Sequence, residues 1–250
     1  MKTSLVIPCT PEHFLCLPTI LHYYRLGTVK PDQVIVSLSQ SGEIHEAVRK
    51  RVIDTFSSEF DDFILLNHNS QLSHGPNRQA GSSVVSSEIV IYGDADDIPH
   101  PMRVETIKHF FKNFDIMHLN HWWCRDDWKF KMFDIKDVDY VDSKKIDELY
   151  FWYNDISQVR YKTPGGYGSM LGRVHGGNLA IRRDVLAKVS WKDWGELQLG
   201  PAEDWEFCIE TANIFKKSMI INVDLIKYVS DTARNVPLSV YDAKTIGAVS

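Results

Sequence analysis

The sequence has no long apolar run. None reaches the roughly 18 residues that a membrane-spanning helix needs, and the N-terminal stretch MKTSLVIPCTPEHFLCLP is broken at Pro8, Pro11, Glu12 and His13, so it lacks the apolar centre of a secretory leader. The expectation is a soluble, cytoplasmic protein. A surplus of positive charge is missing too. Lys and Arg total 28 against 33 for Asp and Glu, a formal balance of −5, which gives no general attraction to a phosphate backbone and argues against nucleic acid as a partner. Cysteine is sparse. Cys9, Cys16, Cys124 and Cys208 show neither the CxxC spacing of a zinc or redox site nor the density of a disulfide scaffold, so free thiols are expected. Internal repeats and low-complexity segments are also missing.

What is present is enough for a sizeable core: 250 residues, 44% hydrophobic and 24% charged. In the first half, short β-branched runs recur at SLVIP (4–8), QVIVSL (33–38), DFILLN (62–67), EIVIYG (88–93) and DIMHLN (115–120). Between them lie segments of helical period or length at Pro18 to Leu26, Glu43 to Phe56, Pro76 to Ser86 and Met102 to Asn113, with Pro76 suited to a first helical turn. Strand alternating with helix predicts a mostly parallel α/β sheet covered on both faces. In such sheets ligands bind outside the carboxyl ends of the strands.

The second half is less regular. Residues 121 to 175 are rich in Trp, Tyr, Asp and Lys and run into the glycine-rich TPGGYGSMLGRVHGGN, which reads as loop because glycine is costly in regular elements and suits turns or close approach to a ligand. A helix is predicted over Arg183 to Val189, another from Pro201 or Ala202 to Phe215, and a strand over SMIINV (218–223). Residues 231–250 read as a weakly structured tail.

Two acidic constellations carry chemistry. The segment EIVIYGDADDIPHP (88–101) places Asp94, Asp96 and Asp97 where a strand surfaces. Adjacent carboxylates repel unless a cation lies between them, and hard oxygen ligands suit Mg²⁺ or Mn²⁺. A solvated acidic turn before a helix has the same composition. The segment GPAEDWEFCIE (200–210) places Glu203 and Asp204 at a helix start, where they suit either the helix dipole or a general base aimed at a hydroxyl.

Five segments in order resemble the GT-A glycosyltransferases, and among them the large inverting family 2. SLVIP resembles that family's opening strand; GPNRQAG (75–81) its xxARNxG helix start; IVIYGDADDIPHPMRVE (89–105) its IxFLDADDxxxPxxLE segment; GGNLAIRRDVL (176–186) its GGxxxxxRRxxF segment; and AEDWEFCIE (202–210) its GEDxELxxR helix. The resemblance implies a GT-A fold, with residues 1–120 forming a nucleotide-sugar-binding half, 121–225 an acceptor-binding and catalytic half, and 226–250 a C-terminal tail. It implies transfer of a sugar from a nucleotide-diphosphate donor to a saccharide or other hydroxyl acceptor. Asp94 and Asp96 take the metal positions, with Asp96 the direct ligand of Mn²⁺ or Mg²⁺, Asp94 facing the ribose or a metal-bound water, and Asp97 in reserve. Arg78 takes a donor-side position, with an ion pair to one of these aspartates as its alternative. Gly176, Gly177 and Asn178 line the donor sugar. Asp204 matches the catalytic base, which deprotonates the acceptor hydroxyl for a direct displacement that inverts configuration, and Glu203 orients acceptor or sugar.

The departures are specific. After the second strand the family carries an Asp-rich turn, whereas this chain has VSLSQSGE (36–43), leaving Ser39 or Gln40 to meet a base. After the last strand the family places a histidine, whereas KYVSDTAR (227–234) offers Asp231. His175 is a further candidate ligand. Trp122, Trp123, Trp128, Trp152 and Tyr153 suit either a platform for sugar rings or a packed core. Two other readings share these features: a carbohydrate- or nucleotide-binding protein that kept the scaffold without catalysis, and a sugar nucleotidyltransferase. The latter lacks support because PCTPEH after the first strand has no glycine-rich phosphate loop.

Overall fold

The computed structural model describes residues 1–123, 130–138, 140–142, 176–193, 202–215 and 217–228. The described strands are β1 (Thr3–Cys9), β2 (Gln33–Leu38), β3 (Asp62–Asn67), β4 (Ile89–Tyr92), β5 (Ile98–Pro99), β6 (Ile116–Trp123), β7 (Tyr140–Asp142), β8 (Leu179–Arg182) and β9 (Ser218–Tyr228). The α-helices are α1 (Leu17–Arg25), α2 (Glu46–Phe56), α3 (His74–Ser82), α4 (Arg103–Phe110) and α5 (Ala202–Ile214). One sheet runs in the order β3-β2-β1-β4-β8-β6-β9-β5, with β7 also pairing β9. β1 lies parallel between β2 and β4, and β3 is parallel to β2. β8 runs antiparallel between β4 and β6, and β6 and β9 are parallel.

The alternation of side chains along the inner strands divides the core into two layers. Leu5, Ile7, Val34, Val36, Ile89 and Ile91 face one side, where they join Leu17 and Leu21 of α1 and Ile107 of α4. Val6, Ile35, Val90 and Tyr92 face the other, with Trp191 and Phe207 of α5. Burial on both faces explains why these strands read as continuous apolar runs rather than alternating ones. On the second face α3 lies close to β1, because a Cβ on Gly81 would sit 2.6 Å from Val6 Cγ1. Among the described residues no helix is long and apolar enough to cross a membrane.

The sheet departs from the sequence expectation in three places. LAIR (179–182) forms β8, where the sequence suggests only a glycine turn running into a helix, and Arg183–Ala187 is a 3₁₀ helix in place of the predicted α-helix. β9 runs on to Tyr228, past the expected end of that strand, pairing β6 on one edge and β7 and β5 on the other. α3 stops at Ser82, four residues before the predicted end. The expected tail at 231–250 lies outside the described residues.

Candidate active site

The strand directions bring the functional segments to one edge. β1, β2 and β4 end there together, the 3₁₀ turn Gly176–Asn178 enters β8 there, and the loop after β4 crosses that edge to reach β5 against the end of β9. The loop after β4 is Gly93–Asp97, the acidic cluster. Trp122 and Trp123 close β6 at the same edge, in register with Lys227 and Tyr228.

Arg78 of α3 joins two of the predicted acids. Its Nη2 donates to Asp94 Oδ1 at 3.0 Å and its Nη1 to Asp204 Oδ1 at 2.8 Å, with Glu203 Oε1 3.7 Å from Nη1. Asp94 and Asp204 are 110 positions apart in the chain and meet across one guanidinium. Arg78 is 1% exposed. Burial alone would lower its pKa, but Asp204, Asp94 and Glu203 together reverse that and hold it above the usual arginine value, firmly charged. The guanidinium also lies over the Trp191 ring at 5.1 Å. That ring stacks on Phe207 at 3.9 Å and meets Tyr92 edge-on at 5.1 Å, so the aromatic core of the second layer is the floor of the ion-pair cluster. The ion-pair alternative for Arg78 therefore describes its geometry.

A second buried arginine, which the sequence reading did not single out, supports the acidic loop from the opposite layer. Arg103 of α4 donates through Nη2 to the carbonyls of Tyr92 (2.5 Å) and Gly177 (2.8 Å) and through Nη1 to Tyr24 Oη (2.9 Å). Burial lowers its pKa, opposed by Tyr24, Asp97 and Asp94. The same burial pushes the Tyr24 hydroxyl up to about 12, so it stays protonated. Arg103 thus ties the end of β4 to the glycine turn. Gly177 needs to be glycine for a steric reason: a Cβ there would overlap the Asp94 carboxylate. Asn178 is buried, and its Oδ1 has no hydrogen-bond partner among the described residues, an acceptor suited to a ligand or an ordered water.

Asp96 behaves differently from Asp94. Its Oδ2 lies 3.7 Å from His13 Nε2, a residue of the loop after β1, and both side chains are partly accessible, at 15% and 17%. Asp97 is buried on the side of Arg103 and Tyr24, whose ionisation it influences. The turn after β2 is held by contacts within itself and to the segment after β3. Ser39 Oγ accepts from the Leu72 N–H at 2.8 Å, and Gln40, with φ 50°, donates from Nε2 to Glu43 Oε1 at 2.7 Å. Of the thiols, Cys9 is buried, and that burial pushes its pKa up. His175, Asp231, Cys124, Trp128, Trp152 and Tyr153 lie outside the described residues.

No protein-family model matches the sequence, and no curated protein matches it. Solved structures do match. Staphylococcus aureus TarS 1-349 with UDP-GlcNAc superposes with a TM-score of 0.64 at 12% identity, covering 92% of this chain and 59% of that one. Glucosyl-3-phosphoglycerate synthase from Mycobacterium tuberculosis, with Mn²⁺, UDP and glucosyl-3-phosphoglycerate, gives 0.56 at 14% identity, covering 98% and 80%. The mannosyltransferase PcManGT from Pyrobaculum calidifontis, with GDP-Man and Mn²⁺, gives 0.55 at 12%, covering 87% and 53%. The chain has a GT-A-like glycosyltransferase fold. It spans about three fifths of the length of the TarS 1-349 structures.

Proposed function

We propose that this chain is a metal-assisted glycosyltransferase that moves one sugar from a nucleotide-diphosphate donor to a hydroxyl of a saccharide or other acceptor, with inversion. The observation that carries the reading is the Arg78 bridge, which gathers Asp94 and Asp204, with Glu203 beside them, at the carboxyl edge of the parallel strands. The nucleotide-sugar ligands of TarS and PcManGT, which share the fold, support the donor class.

The residues fit a divalent cation. Arg78 brings one positive charge to the three carboxylates it touches, and the histidine nitrogen facing Asp96 has no hydrogen-bond partner among the described residues. Among the described residues no three His, Cys, Asp or Glu side chains form a metal cage; an ion of the Mg²⁺ type takes one or two carboxylates and fills its shell with phosphate and water. Asp96 would hold the ion. Bound there, Mn²⁺ or Mg²⁺ would neutralise the diphosphate as it leaves.

The protein's own groups do the rest. Gly176, Gly177 and Asn178 line the donor sugar, Asp94 faces the ribose, and Arg78 holds Asp94 and Asp204 in fixed relation. Asp204 takes the proton from the acceptor hydroxyl as that oxygen bonds to the anomeric carbon and the bond to the diphosphate breaks on the opposite face. With Oδ1 held by Arg78, Oδ2 of Asp204 is the oxygen left for this role. Glu203, Trp122 and Trp123 form the acceptor side.

Two variants test the reading. Asp96→Ala should lose the Mn²⁺-dependent thermal stabilisation by nucleotide sugars, whereas Asp204→Asn should keep it and lose transfer. A ligand at 100 times its Kd stabilises by about 2.7 kcal/mol, a rise of roughly 5–10 °C for a domain of this size. Transfer at the normal rate by Asp204→Asn would show the base to be misassigned. Donor binding with neither transfer nor donor hydrolysis in the unmodified protein would identify the scaffold as a binding protein.

A further inference from the structure

We propose that His13, in the loop after β1, supplies a nitrogen ligand to the divalent cation held by Asp96. The proposal rests on the cation-binding reading above and adds to it a residue that no motif of the chain points to. His13 Nε2 is buried with no hydrogen-bond partner among the described residues, and Asp96 Oδ2 stands 3.7 Å from it. As a charged imidazolium, His13 would make only a stretched ion pair with Asp96 at this distance, and neither neutral tautomer does better. A proton on Nε2 leaves the donor well beyond the roughly 2.7–3.2 Å of a hydrogen bond. A proton on Nδ1 suits the Thr10 Oγ1 beside it, at 3.4 Å, and then a nitrogen lone pair faces a carboxylate oxygen, acceptor against acceptor. A cation between them resolves that conflict.

The spacing suits one. Two ligands at about 2.1 Å from an octahedral ion stand about 3.0 Å apart when adjacent, so a small side-chain rotation closes the pair from 3.7 Å. The loop is built to hold the ring in place. His13 N–H donates to Thr10 O at 3.1 Å, Cys16 N–H to His13 O at 2.9 Å, and the next residue, Phe14, is buried in the core. The contact between Thr10 Oγ1 and Nδ1 is the kind of outer partner that fixes the tautomer of a ligating histidine. Two other described histidines are already committed: His100 accepts from Met102 N–H through Nδ1 and contacts Lys131 O through Nε2, and His68 Nε2 lies 3.0 Å from Ser37 Oγ. The segment after β9 has no histidine, so the imidazole would enter the crevice from the first loop of the fold.

The test uses the full chain loaded with Mn²⁺ alone, then with Mn²⁺ and UDP or GDP. Pulsed electron paramagnetic resonance on the unmodified protein should show ¹⁴N modulation from a directly bound imidazole. His13→Phe should abolish that signal and weaken Mn²⁺ binding roughly tenfold or more, with the metal-free melting temperature within about 2 °C of the parent. His13→Asn, a poorer ligand of similar polarity, should fall between. Asp96-dependent Mn²⁺ binding without nitrogen modulation, or modulation that persists in His13→Phe, would overturn the histidine ligand and leave the parent reading standing. Failure of the unmodified protein to bind Mn²⁺ in any of these conditions would overturn both.

Discussion

Replacing Arg78 by Met would keep the length of the side chain and remove its charge, stranding Asp94 and Asp204 against each other with Glu203 close by. The guanidinium is 1% exposed and both Nη atoms are on carboxylates. Removing one partner of such a buried pair costs about 3–5 kcal/mol, because the remaining charge is left uncompensated. Loss of the contact over Trp191 at 5.1 Å adds about 0.5–2 kcal/mol, though contributions within one cluster do not simply add. The expected loss is therefore about 4 kcal/mol, a fall in Tm of roughly 8–16 °C for a chain of this length. Urea unfolding of Arg78→Met measures it. The double variant Arg78→Met/Asp204→Asn should recover part of the loss, since it withdraws one of the stranded charges. A single variant within about 1 kcal/mol of the parent, or a double variant no better than the single, would refute the view that this arginine holds the carboxylates together.

Gly177→Ala should destabilise by about 1–3 kcal/mol, because its Cβ must displace either Asp94 or the turn. Gly42→Ala, with nothing within 4 Å, serves as the neutral control in the same denaturation assay. His100 is buried, and that burial lowers its pKa to about 4 from the ordinary 6.5. Its folded pKa lies below the unfolded one, so its contribution to stability is full above about pH 6.5 and is lost as pH falls toward 4, by about 3 kcal/mol. The stability difference between the parent and His100→Gln should shrink by that amount between pH 7 and 4, and a pH-independent difference would count against a buried neutral imidazole.

The first four strands and their helices were legible because each inner strand is buried on both faces and the segments between them have helical period or length. β5 and β7 were not, being too short to show any periodicity. LAIR was hidden between a glycine turn and a charged segment, and its status as a strand depends on lying between β4 and β6. Within the site, the acidic pairs stood out by composition, and the ordered resemblance implied a metal role for Asp94 and Asp96, a donor-side place for Arg78 and a base in Asp204 before any geometry. Arg103 was missed because a cation near a helix start reads as solvated. Its burial follows from the carbonyls of Tyr92 and Gly177, which only the folded chain brings together. His13 has no motif partner in its loop, and its neighbour is 83 residues away.

The acidic loop is anchored twice, by β4 at one end and through β5 on β9 at the other. It works as a span with an abutment in each half of the sheet. Asp94 and Asp96 therefore register any shift between the halves, and a lesion in β9, far along the chain, would be felt first at these two carboxylates.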